Sequence, residues 1–178
     1  EAPVAIGEKI STRRFARYET TGVVSTYIHM GGKVGVLVEV STDKQDDEIK
    51  VFAHDLALQI AAAKPEAVRR EEVDAAKLEK EKEILVAQIK NDPKNASKPE
   101  AIITKMVDGR IGKFYENNCL LQQAFVKNGD LSVEQYIAEE AKKAGGAMKV
   151  TDFVRFEKGE GLEKRNDDFA SEVANMVK

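Results

Sequence analysis

His29, His54 and Cys119 are the side chains best suited to bond chemistry in this 178-residue sequence, which holds only two histidines and one cysteine. The histidines lie 25 residues apart with no partner at a metal-ligand spacing, so they do not read as a zinc pair. His54 adjoins Asp55 within a helical pattern, and a solvated helix face is the expectation. Cys119 has no histidine nearby and no helix N-terminus behind it, which describes a buried or half-buried structural thiol. Lys158-Gly-Glu-Gly161 has neither the spacing nor the strand-loop-helix setting of a phosphate-cradling loop. The many carboxylates sit beside lysines on helical faces, the pattern of solvated surface. No nucleophile, base or metal cluster assembles, so neither an enzyme nor a cofactor is expected. His29 differs in its setting. It stands at a strand end beside Gly31-Gly32, where the backbone is bare and accessible. A histidine there is either structural, merely exposed, or a contact residue.

The elements that position His29 follow from the spacing of apolar residues. Val23 to Met30 and Lys33 to Val40 read as strands, and a glycine pair supplies the positive φ angles of a tight hairpin. Val34, Val36, Val38 and Val40 alternate strictly and share one face. A turn centred on Gly31-Gly32 pairs His29 with Val34 and Tyr27 with Val36. Ile10 to Glu19 reads as a further strand. From about Gln45 a helix follows, with Ile49, Phe52, Ala53, Leu56, Ile60 and Ala63 on one face. It ends near Lys64, because Pro65 disfavours helical geometry in the residue before it.

Residues 71 to 118 predict an antiparallel helical hairpin. Its first arm, Glu71 to Asn91, carries Leu78, Leu85 and Ile89 among many charges. Its second arm starts near Pro99, a position the first turn of a helix tolerates. Ile103, Val107, Ile111 and Phe114 then form one face. Gly109 and Gly112 are poor helix formers and suggest that the other arm passes close by. The hairpin is a stabilising arm or an interaction arm whose charged outer face suits a partner helix. Ser132 caps a helix over Val133 to Ala144, with Gln135 at the capping-box position and Gly145-Gly146 as the stop. Met148 to Glu157 is a strand, with Met148, Val150, Val154 and Phe156 on one face, and it joins the early hairpin sheet. Gly159-Glu-Gly161 is a turn. Asp167 or Asp168 caps a last helix with Phe169, Val173 and Met176 or Val177 as its apolar side. The fold class is α+β: a small antiparallel sheet packed against helices, with a protruding helical hairpin, or coiled coil.

The composition narrows the partners. A third of the residues are charged, but the net charge is only -3, unlike a nucleic-acid grip. No apolar run reaches the length of a membrane span, and no signal-peptide pattern is present. The sequence begins without methionine, which predicts a fragment, a processed product or a trimmed chain.

Several of these stretches resemble one family. Lys105-Met-Val-Asp-Gly-Arg-Ile-Gly-Lys-Phe114 and Leu120-Leu-Gln-Gln-Ala-Phe-Val126 are similar to segments of bacterial elongation factor Ts, the nucleotide exchange factor for elongation factor Tu. So are Ile6-Gly-Glu-Lys-Ile-Ser-Thr-Arg-Arg14, Ser25 to Val38, Asp55 to Pro65, Phe153 to Lys164 and Asp168-Phe-Ala-Ser-Glu-Val173. Their common order covers nearly the whole chain.

The resemblance implies four parts. Residues 1–66 are the second half of the family's core, 67–118 the coiled coil, 119–161 the return to the core, and 162–178 a C-terminal helical module. The family's N-terminal module and first core half are then absent. That first half carries a Thr-Asp-Phe-Val motif that wedges into the nucleotide domain of Tu. Thr151-Asp-Phe-Val154 is a decoy under this alignment, since it falls on the C-terminal strand. Ser41-Thr-Asp-Lys-Gln-Asp46, where short members place the wedge, lacks the phenylalanine. Carried over by position, His29 matches the family histidine that contacts Tu, with Tyr27, Gly31 and Lys33 as its neighbours. Phe169 and Val173 fall in the terminal module that touches the nucleotide domain. The implied partner is elongation factor Tu, with no nucleic acid and no membrane, in a homodimer or a heterotetramer with Tu. The implied place is the bacterial cytoplasm, or else an organelle matrix. The alternative function is a non-exchanging dimerisation or docking module that uses the helical hairpin.

Overall fold

The valine alternation sets the sheet. In the computed structural model, which describes residue 7, residues 13–95 and residues 97–162, β1 (Val23–His29) and β2 (Val34–Thr42) form an antiparallel hairpin. His29 pairs with Val34 and Tyr27 with Val36, the register set by a turn centred on Gly31-Gly32. Val34, Val36, Val38 and Val40 all point into the core. β5 (Met148–Glu157) pairs antiparallel with β2, giving the sheet order β1-β2-β5. The fold is α+β, and its sheet closes only when the chain returns more than a hundred residues later.

The core helix, Asp47–Ala63, lies across the valine face. Asp46 caps it by accepting from the Ile49 N–H at 3.0 Å. It stops at Lys64, whose left-handed φ of 50° lets its N–H still reach the Ile60 carbonyl before Pro65. Ile49, Phe52, Ala53, Leu56 and Ile60 are buried as their spacing predicts, while Ala63 is half-buried. A second helix, Val133–Ala144, carries the full capping box: Ser132 Oγ accepts from the Gln135 N–H, and Gln135 Oε1 from the Ser132 N–H. A short pair of strands, β3 (Ala124–Phe125) and β4 (Asn128–Ser132), leads into it.

Three expectations are corrected. Residues 13 to 19 form no strand; they run irregularly across the outer face of the sheet. Arg14 stacks on Phe156 with 4.4 Å to the ring centre, and the Tyr18 hydroxyl donates to Asp152 at 2.9 Å. Burial, and then that carboxylate, push the Tyr18 hydroxyl's pKa well up. The second correction concerns β5, which does not keep one face throughout. A bulge leaves Thr151 without a partner, between the Val40–Val150 and Glu39–Asp152 pairs. An inserted residue flips the alternation. Met148, Val150 and Phe153 therefore pack inward, whereas Val154 and Phe156 line the outer face.

The third correction concerns the helical hairpin. Its arms are Ala75–Asn91 and Glu100–Asn118, packed along Leu85, Ile89, Ile103, Val107 and Ile111. Beyond Ile111 the seam continues to Tyr115, four residues on, rather than to Phe114. Gly109 and Gly112 do not face the other arm, because a side-chain carbon built at either would meet nothing within 4 Å. They weaken the helix without serving a close approach. Gly109→Ala is therefore expected to stabilise the chain by about 0.5–1 kcal/mol in urea denaturation, from helix propensity alone.

Gly22 is the opposite case. A methyl group there would collide with the Val40 carbonyl oxygen, which is backbone and cannot swing away. Gly22→Ala is expected to destabilise by about 1–3 kcal/mol as the start of β1 is pushed off β2, read as a lower thermal midpoint. At the root of the hairpin the two chain passages are tied together. The Leu120 N–H donates to the Ala67 carbonyl at 2.9 Å, and the Glu66 N–H to the Asn118 carbonyl at 2.8 Å. At its far end Asn95 is buried and caps the first arm through the Ile89 carbonyl at 3.1 Å.

Candidate functional site

The candidate site is the tip of the β1–β2 hairpin. Met30, Gly31 and Gly32 have φ values of 51°, 63° and 91°, one turn of left-handed backbone. The Lys33 N–H closes it on the His29 carbonyl at 3.1 Å. Glycine adopts this conformation freely, whereas a residue with a Cβ is strained by about 1–2 kcal/mol. The loop is also anchored from behind: the Lys33 carbonyl accepts from the Lys158 N–H at 2.8 Å. His29, Gly31 and Lys33 are all exposed.

His29 is held by Tyr27 rather than by the core. The Tyr27 hydroxyl lies 3.1 Å from His29 Nδ1, and the two rings stack with centres 5.7 Å apart. The Tyr27 ring also meets the His54 ring, in an edge-to-face arrangement with centres 5.5 Å apart. Both histidines of the chain therefore contact one tyrosine. His54 is exposed, as its helical position predicts, but its place against Tyr27 was missed. The only signal for it was indirect: Tyr27 falls on the valine face, and the core helix covers that face.

Behind the tip the inner face turns polar. His29, Val34 and Glu157 form one row across the three strands, and Tyr27, Val36 and Arg155 the next. Glu157 accepts from Arg155 at 2.7 Å and lies 3.5 Å from Lys64 Nζ. The Arg155 hydrogen bond, with its charge, holds the Glu157 carboxyl below the usual carboxylate range. The arrangement offers aromatic faces and hydrogen-bonding groups on a braced turn. It offers no nucleophile beside a base. Among the described residues, no group of three or more His, Cys, Asp or Glu could hold a metal ion.

The remaining sequence candidates separate clearly. Cys119 is fully buried at the hairpin root, where desolvation raises its thiol pKa; it is a structural thiol. Phe153 of the Thr-Asp-Phe-Val run points inward against the core and forms no tip. Phe169 and Val173 lie outside the described residues.

Residues 1–160 match the family model described as "Elongation factor TS". This chain belongs to the elongation factor Ts family. An elongation factor Ts from Desulforamulus reducens is 51% identical over 176 residues, covering 97% of this chain and 79% of that protein. One from Heliobacterium modesticaldum is 51% identical over 171 residues, with 94% and 78% covered. One from Clostridium botulinum (strain Eklund 17B) is 49% identical over 173 residues, covering 97% of this chain but 56% of that protein. The chain thus spans nearly four fifths of two relatives and little more than half of the third. Membership of the elongation factor Ts family places it in translation elongation.

Proposed function

We propose that these residues dock on elongation factor Tu through Tyr27, His29, Gly31 and Lys33 and promote release of its GDP. The observation that carries this reading is the braced tip. His29 is exposed, yet its ring is oriented by Tyr27 and its backbone is closed by Lys33. A pre-oriented side chain loses little freedom when a partner binds it. Phe169 and Val173 of the C-terminal module supply a second contact. The division into core (1–66), coiled coil (67–118), return (119–161) and terminal module (162–178) belongs to the same reading.

The action is allosteric and makes or breaks no bond. The factor binds a distorted, nucleotide-free Tu more tightly than Tu with GDP, so each weakens the other's binding by the same free energy. These 178 residues alone exchange weakly, since Phe153 packs inward and the Ser41–Asp46 stretch has no phenylalanine to act as a wedge. The setting is the bacterial cytoplasm, in keeping with bacterial relatives; an organelle matrix is the alternative. No helix of the described residues is long and apolar enough to cross a membrane. Stopped-flow release of fluorescent GDP from Tu, with a pull-down alongside, tests the reading. Retention of Tu with slight acceleration supports it, and absence of any association overturns it.

A second reading takes the helical hairpin as the docking element. Ile84 and Ile102, one on each arm, are 42% and 45% exposed. The Ala67–Cys119 bridge holds the roots together, so a short Gly-Ser linker can replace residues 71 to 118. That deletion abolishes association under the second reading and spares the His29 contact under the first.

A further inference from the structure

Two residues other than glycine hold a left-handed backbone among the described residues, Met30 and Lys64. Lys64 has a local reason, since it ends the core helix and closes a hydrogen bond to Ile60. Met30 has no comparable reason. The hairpin turn requires a positive φ at position 30, but glycine or asparagine meets that requirement more easily than methionine. The side chain gives the fold little in return, being 62% exposed beyond the end of β1. A strained residue whose side chain is unused within its own chain points to a use outside it. Ile28, before His29, is also exposed, at 66%, but it lies on the outer face of the sheet, so Met30 is the apolar side chain that belongs to the turn itself.

We propose that Met30 is a contact and specificity residue for the association with elongation factor Tu, its thioether filling an apolar hollow on Tu beside the group that receives the His29 imidazole. This inference rests on the docking reading above. Methionine suits the task, because its unbranched, polarisable side chain fits irregular apolar surfaces.

The test compares Met30→Gly, Met30→Asn and Met30→Leu with wild type in thermal melts and in titrations against nucleotide-free Tu. Gly and Asn relax the strained turn and remove the apolar contact; Leu keeps both. The expected result for Gly and Asn is a thermal midpoint unchanged or raised by about 2–4 °C, together with association weakened about fivefold or more. Leu should stay within about twofold of wild type. Wild-type binding with Met30→Gly equally tight would overturn this inference and leave the docking reading intact. A lowered midpoint in both Gly and Asn would also overturn it, since the side chain would then serve the fold. If wild type itself fails to bind Tu, the docking reading falls and this inference falls with it.

Discussion

Gln59→Leu is expected to destabilise the chain by about 3–5 kcal/mol, although leucine is close to glutamine in volume. Gln59 is fully buried in the core helix, where that helix meets the root of the helical hairpin and β3. Its Nε2 donates to Gln123 Oε1 at 3.2 Å and to the Ala124 carbonyl at 3.1 Å. Its Oε1 accepts from the Val126 N–H at 2.7 Å. Gln123 in turn donates to the Ala63 and Asn117 carbonyls, at 3.2 and 2.9 Å. One amide pair therefore joins the core helix, the second arm of the hairpin and β3. Leucine would leave the buried Gln123 Oε1 without this partner, worth about 1–3 kcal/mol, and would also release the part-buried Ala124 carbonyl and Val126 N–H, at a smaller cost each. Against a total stability of about 5–15 kcal/mol this is a large fraction. Urea denaturation checks it; a loss below about 1 kcal/mol would mean that the network is slack or reached by water.

The second large effect is functional. His29→Ala is expected to weaken association with Tu tenfold or more, the size of an interface hot spot, while changing stability by less than about 0.5 kcal/mol. The separation follows from exposure. The His29 ring leans on Tyr27 outside the core, so its removal opens no cavity. Titration of nucleotide-free Tu with each protein reads the first quantity, and chemical denaturation the second. Equal affinities would remove His29 from the interface. A large loss of stability would show the ring to be structural.

How far the sequence reveals this depends on whether a feature is local. The hairpin register, the core helix and the Ser132 capping box were legible, because each rests on residues a few positions apart. Strand β5 was legible as a strand, but its facing was not. The bulge at Thr151 exists only in pairing with β2, more than a hundred residues earlier. Gly109 and Gly112 misled for a related reason: a helical glycine marks low propensity, and only packing shows whether another backbone is near. The buried pair Gln59 and Gln123 gave no signal, being polar residues at core positions that satisfy each other across 64 residues. At the site, His29 stood out by its turn. His54 did not, since its contact with Tyr27 depends on how the helix crosses the sheet.

The measurement that tests the central claim most directly is the affinity of this chain for elongation factor Tu, titrated across a range of GDP concentrations. The account predicts that association weakens as GDP rises, and that the chain weakens GDP binding by the same factor. Association indifferent to GDP, or none at any concentration, would contradict it.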